Sequence, residues 1–531
     1  MKSFSVLLAF ILMASGAVAQ TDTNSTVVPA DTNAPAVLSA TNGAAVQADT
    51  NAIAAQTNAV VATAPPRAMS LEDCIQEALQ HNLDVQIERT APQISLFTLR
   101  SAYGGYDPAV TISGQHQYND IGPYSQGPST SYEQNSAAAS LSQTPTPWGM
   151  TYELNGNISR DYNSSIATND SSSGQAGLTL TQPLLKNFWI DSTRLTIKLA
   201  KNQLKSDEQG LRLQLITSVS AVENAYYELI YAQENVKVQQ EALVLAQTQL
   251  DQDRQRVQIG TLAQLDVQQD EAQVATSKAN LIAAQSTLNT DQNTLKNLLT
   301  DQYLRWHDSD IQPTETITNA PLQLFDLQDS WNKGMTERPD LLQKRLLVER
   351  QGIQLKFDNN QLFPEVDLTG SYGYNGAGVQ YNDVFTQVGN QDRPFYSYGA
   401  QLTMPLSNVG PRNTYKADKV TLQQLLLKLK QFEQNILVDI DNAVKQAQSA
   451  YESVGATRQA RIYAEAALDA EQKKYAVGKS TTFTVLQLQN TLTADRAQEI
   501  RSLANYYEAL TSLAQAEGST LERNHINLEA K

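Results

Sequence analysis

Between Pro183 and Pro313 the chain contains no proline, and only Gly210 and Gly260 interrupt it. Within that stretch Leu215, Val222, Leu229, Val236, Leu243, Leu250 and Val257 return at every seventh residue. Ala225, Ala232 and Ala246 stand three residues after members of that series. Large apolar and small residues alternating in this heptad pattern form a coiled-coil seam, along which helices approach closely. After Gly260 a second seam starts, at Val267, Val274, Leu281, Leu288 and Leu295. The spacing predicts two long antiparallel helices joined at a glycine turn. The first, over 191–257, would run about 100 Å at about 1.5 Å per residue, a length seldom housed in one compact globule.

The chain also matches itself. Leu71, Asp73, Asp84 and Pro108 correspond to Leu327, Asp329, Asp340 and Pro364 at an offset of 256. Pro183 corresponds to Pro405 at an offset of 222, and Arg194, Asn224, Ala225 and Gly260 to Arg412, Asn442, Ala443 and Gly478 at 218. The fall from 256 to 222 gives the first copy 34 additional residues between Pro108 and Pro183. We divide the chain into a first repeat, 68–312, a second, 313–520, and a C-terminal tail, 521–531.

The variable segment alternates with period two, the signature of strands with one apolar and one polar face. Val110 and Ile112 alternate with Thr111 and Ser113; Ala176, Leu178 and Leu180 with Thr179 and Thr181. In the second copy the alternation runs through Val366, Leu368, Tyr372 and Tyr374, then Tyr396, Tyr398, Ala400, Leu402 and Met404. The additional residues hold two further pieces, Ala139/Leu141 and Tyr152/Leu154/Ile158. Of the 22 tyrosines, 12 lie between Tyr103 and Tyr162 or between Tyr372 and Tyr398. Aromatic residues at strand ends suit a membrane interface. A few strands cannot cross a bilayer with open edges, so several copies must close one barrel. Each copy therefore reads as helix, β-hairpin, long helical hairpin. Ala139/Leu141 is short against the roughly 9–11 residues a strand needs to cross, which favours an extended outer rim over an added barrel hairpin.

Residues 1–19 read as a secretory signal peptide: Lys2, an apolar run from Phe4 to Ala14, and Ala17-Val18-Ala19 before a cut at Gln20. No later apolar run approaches a transmembrane helix. Residues 20–67 repeat Asp-Thr-Asn and Gln-Thr-Asn with almost no large apolar side chains, and read as a disordered linker ending at Pro65-Pro66. A single cysteine, Cys74, rules out an internal disulfide, and His81, His116, His307 and His525 form no zinc-type pair, so no metal or cofactor is expected. A net charge of −16 argues against a nucleic-acid partner.

Taken in order, these features resemble the TolC family of outer-membrane efflux factors. The residues that carry the likeness are the signal peptide, the doubling, Arg338-Pro339-Asp340-Leu341, Gln182-Pro183-Leu184 and Met404-Pro405-Leu406 at strand ends, and the turns Arg256–Gly260 and Lys474–Gly478. The resemblance spans about residues 69–520. It implies a mainly α protein with membrane β structure: a homotrimer with a shared transmembrane β-barrel, usually of four strands per chain, above a long antiparallel coiled-coil barrel. It further implies outer-membrane lipid around the barrel, a periplasmic extension, and a passive conduit for cargo driven by an inner-membrane pump through a periplasmic adaptor. The adaptor would meet the tip at Val257, Gly260, Thr261, Leu262, Tyr475, Gly478, Lys479 and Ser480. Asp266 matches an aspartate of the family's tip. Thr484 and Gln487 stand where some members carry a constricting acidic ring, and Ser480 where some carry an arginine; Asp251, Asp253 or Asp270 could supply the charge instead. The tip and lumen constriction is therefore assigned to Asp266, Asp270, Thr484 and Gln487.

A type I protein-secretion conduit shares the fold and stays open as the alternative. Two other classes fit less well. A periplasmic adaptor would show one hairpin between split β segments, and a structural coiled coil would not need the strands. An enzyme is not expected, because neither a Gly-x-Ser-x-Gly elbow nor a phosphate loop is present.

Overall fold

The computed structural model describes residues 64–122, 130–163, 170–317, 319–321, 323 and 325–526. The signal peptide and most of the linker lie outside these residues. The linker's last residues do not: Ala64–Met69 is a strand, β1, paired in parallel with β6, Ser309–Pro313. The final residues of the tail also fall outside, whereas Leu521 is buried in a core.

The heptad spacing becomes helix as expected. Helices α1, Leu71–His81, and α2, Leu83–Tyr103, lead into the sheet, and α3, Ser192–Gln258, leaves it as one helix of 67 residues. Helix α4, Gln264–Leu299, returns antiparallel to α3. In the second half α5, Leu327–Glu337, and α6, Pro339–Asn360, precede the sheet. Two strands joined by a short helix, α7, Tyr381–Asn390, follow. Then α8, Val409–Ala476, with 68 residues, and α9, Thr482–Glu517, close the chain. Leu215, Val222, Leu229 and Leu250 of the seam are buried on α3, as are Val267 and Leu295 on α4.

Two junctions keep the helical layer four helices wide along its length. Asn82 caps the start of α2 and donates from Nδ2 to the carbonyl of Leu298, at the end of α4, at 2.9 Å. Arg338 stands at the start of α6 and donates to the carbonyl of Ala516, at the end of α9, at 3.2 Å. Near the sheet the packing order is therefore α2, α3, α6, α8; away from it the order is α4, α3, α9, α8. The main core sits where these levels meet, with Cys74, Tyr226, Leu229, Leu295, Trp306 and Ile311 buried together. Tyr227 and Tyr507 stack there at 4.9 Å, joining α3 to α9.

The sheet has six antiparallel strands in order β2 (Ala109–Ile121), β3 (Thr130–Gln143), β4 (Thr151–Asn163), β5 (Asp170–Pro183), β7 (Glu365–Gly378) and β8 (Pro394–Thr403). The register puts one chemistry on each face. A row across all six strands reads Val110, Leu141, Leu154, Leu178, Tyr372, Tyr396. A row on the other face reads Ala109, Ser142, Glu153, Thr179, Ser371, Ser397.

This corrects the expectation of a rim extension. Ala139 and Leu141 belong to a strand of 14 residues, and β4 has 13, so the additional segment is a hairpin of full-length strands within the sheet. Small and polar residues such as Ser136, Ala137 and Ser140 hide the alternation, because its period is read from contrast in side-chain hydropathy. Helix α7 was also not foreseen. It folds back onto the apolar face, with Val384 buried over Gly174 and Gly376. A Cβ on Gly376 would stand 2.6 Å from the Val384 carbonyl oxygen, so the close approach requires glycine.

Candidate functional site

Both helical hairpins turn at one end of the layer, and the same backbone device closes each. Gly260 has φ +76 and Gly478 φ +73. The amide of Thr261 donates to the Arg256 carbonyl at 2.9 Å and that of Gly260 to Val257 at 2.9 Å. The second turn repeats this pattern, Lys479 to Lys474 at 2.9 Å and Gly478 to Tyr475 at 3.1 Å. This is a Schellman closure, in which a left-handed residue satisfies the last helix carbonyls and glycine bears it without Cβ strain.

The expected tip residues divide by environment. Gly260, Thr261, Gly478 and Lys479 are exposed at the outermost turns, and Val257, Leu262 and Ser480 are half-buried. Ser480 donates to Glu471 at 2.6 Å, which Lys474 also contacts. Gln487 is exposed, while Thr484 and Asp266 are half-buried. Asp270 lies fully inside the helix packing, at 1% exposure.

Asp270 belongs to a polar node that joins both hairpins. Asp253 of α3 is buried at its centre. It accepts from Tyr475 Oη of α8 at 2.8 Å on each carboxylate oxygen and from Gln249 Nε2 at 2.7 Å. Arg256 stands 3.7 Å from Asp253 and places its guanidinium 4.4 Å from the centre of the Tyr475 ring. Tyr475 Oη also meets Thr482 Oγ1 of α9 at 2.9 Å. Burial pushes the Tyr475 phenol up to about 12, so it stays a donor. A second bridge between the hairpins is the reciprocal amide pair Gln273–Asn490, at 2.7 and 3.1 Å.

Gln249 and Thr482 were not foreseen, and Asp253 only as one of several acids. The signal was present: Asp253 and Asp270 stand three residues after Leu250 and Val267, the seam position that Ala225 and Ala232 occupy elsewhere. A carboxylate in a small seam position faces the partner helix, not solvent.

An apolar-and-polar sheet carried on a long helical stalk suits a membrane channel, and known proteins agree. The model of the family "Outer membrane efflux protein" matches residues 133–300 and 333–519. The chain belongs to the outer membrane efflux protein family. It is 26% identical over 374 residues to outer membrane protein TolC of Escherichia coli K12, covering 68% of this chain and 72% of that one. It is 22% identical to the pyoverdine export outer membrane protein OpmQ of Pseudomonas aeruginosa, covering 70% and 76%. The solved structure of the outer membrane protein VceC from Vibrio cholerae superimposes with a TM-score of 0.63 at 17% identity, covering 84% of this chain and 96% of that one. The protein is thus an outer-membrane efflux channel component, in a family of channels and not of enzymes. No described helix is long and apolar enough to cross a membrane.

Proposed function

We propose that three copies of the chain, a duplicated unit freed of its signal peptide, close one barrel of eighteen strands above a helical tunnel. The observation that carries this reading is a pair of flanks left unpartnered among the described residues. Strand β2 and helix α2 form one, with Ile87, Ile94 and Phe97 each more than three-fifths exposed. Strand β8 and helix α8 form the other, with Val420 and Leu427 exposed to a similar degree. A free strand edge continued by an apolar helical stripe suits the complementary flank of a second copy, and a heterologous contact of this kind closes into a ring. Five of the six strands exceed the roughly 9–11 residues needed to cross a bilayer, and β8 has 10. The apolar face then meets outer-membrane lipid and the polar face lines water.

Cargo passes without bond chemistry, moved by an inner-membrane pump through a periplasmic adaptor. The adaptor docks at Val257, Gly260, Thr261, Leu262, Tyr475, Gly478, Lys479 and Ser480, and the constriction forms near Asp266, Asp270, Thr484 and Gln487. The name of one relative, a pyoverdine export protein, favours small-molecule efflux over protein secretion. The mass of the detergent-solubilised protein tests the assembly. We expect three chains in the outer-membrane fraction; a soluble monomer refutes the reading.

A further inference from the structure

The tip contains one carboxyl group whose environment is incomplete. Asp270 is buried to 1% exposure on α4, and neither of its oxygens has a donor. It lies opposite Asp253 across the antiparallel hairpin, because the next residue on each helix, Arg254 and Glu271, meet at 2.8 Å. Asp253, by contrast, already accepts from Gln249 and Tyr475 and has the Arg256 guanidinium 3.7 Å away. Two carboxylates cannot bond to each other unless one holds a proton, and two bare charges in a dry seam repel strongly. The proton belongs on Asp270, the member with no other donor. A bridging metal ion fits poorly: Arg256 already supplies positive charge, and among the described residues no third ligand completes a metal cluster.

We propose that Asp253 and Asp270 form a proton-dependent latch that holds the channel tip closed. The protonated Asp270 hydroxyl donates to Asp253, tying α4 to α3. Asp253 at the same time ties α3 to α8 through Tyr475 and, through the Tyr475 hydroxyl, to Thr482 of α9. Losing the proton to solvent leaves two adjacent buried charges, of which only Asp253 has a guanidinium beside it, and the strain is relieved when the α3–α4 hairpin swings away from α8 and water reaches both carboxylates.

The remaining charged groups near the node fit this polarity. On α4, Asp266 adds negative potential, and Glu271 is paired with Arg254 of α3 at 2.8 Å. On α3, Asp251 is exposed beside Arg254. On α8, Glu471 is held by Lys474 and Ser480. The facing α9 positions Thr482 and Gln489 carry no charge. Burial, and then the Asp253 charge, push Asp270 up to about 7. The sign follows. A carboxyl held above its ordinary value contributes fully at pH below that ordinary value, near 4. The contribution falls as pH rises and is gone above about 7. The closed-to-open ratio changes by at most about tenfold per pH unit in that window.

The latch rests on the tip assignment proposed above. The experiment is open probability of the full-length channel in planar bilayers from pH 5 to 8. We expect the wild type to open at least about tenfold more often at pH 8 than at pH 5. Asp270→Asn, which cannot lose a proton, should stay at the pH 5 level throughout, and Asp253→Asn should move the step to lower pH. The control Glu508→Gln, at another strongly raised carboxyl of the stalk, should keep the step. A conducting wild type with a flat profile refutes the latch whatever the variants do, and so does an unchanged step in either aspartate variant. If Asp270→Asn does not assemble, the Asp253→Asn shift decides. A Gly478→Val channel that pumps normally instead refutes the underlying tip assignment.

Discussion

Tyr475→Phe isolates one bond between the two hairpins. The substitution keeps the ring, so contacts with Leu468 and Val485 and the stacking of Arg256 at 4.4 Å survive. It deletes one hydroxyl that reaches both oxygens of Asp253 at 2.8 Å and Thr482 at 2.9 Å. A hydrogen bond to a charged group is worth about 1.5–3 kcal/mol net. Asp253 keeps Gln249 and Arg256, so its charge is not left bare, and the lower part of that range, about 1.5–2 kcal/mol, applies. If α8 separates from α3 on opening, that energy is lost from the closed state alone, and the open-to-closed ratio rises about 10–30-fold. Open probability in planar bilayers at fixed pH reads the change. Wild-type-like gating, within about twofold, from a normally assembled channel would refute the node as a gating contact.

Replacing Gly478 by valine forces a β-branched residue to φ +73, a strain of at least about 1–2 kcal/mol, while a Cβ meets nothing within 4 Å. Efflux should fail in a drug-susceptibility assay while assembly remains intact. Single cysteines at Trp148 and Gly122 test the added hairpin with a membrane-impermeant thiol reagent on intact cells. Trp148 sits in the turn whose Pro147 carbonyl accepts from Arg194 at the stalk, so only Gly122 should label; labelling at both sites would contradict two full crossings. Buried Cys74, its thiol pushed up to about 12 by burial, should contribute no background. Glu508, raised to about 7 by burial and then by Glu228, despite Arg501, stabilises the stalk most at low pH. Because that contribution falls as pH rises through 7, Glu508→Gln should flatten the decline of melting temperature between pH 5 and 8.

Much of this molecule was legible in one dimension. The seam from Leu215 to Val257 specified a helix because a heptad repeat aligns one face along its whole length, whatever lies opposite. The helix ends were legible because Gly260 and Gly478 are local: a left-handed residue closes the turn with bonds spanning only five residues. Strand polarity was legible wherever side-chain contrast was high, as at Leu178 and Leu180, and faded where Ser136, Ala137 and Ser140 lowered it. Tertiary structure alone decided three things. It drew the additional residues into the sheet as β3 and β4, since backbone pairing needs only a partner edge and not strong alternation. It folded α7 over Gly174 and Gly376, a contact that depends on missing Cβ atoms in two different strands. It also brought Tyr475 onto Asp253, 222 residues earlier in the chain. That meeting depends on the lengths of two hairpins and the rotation of each about its axis, which sequence period leaves open and packing between the helices resolves.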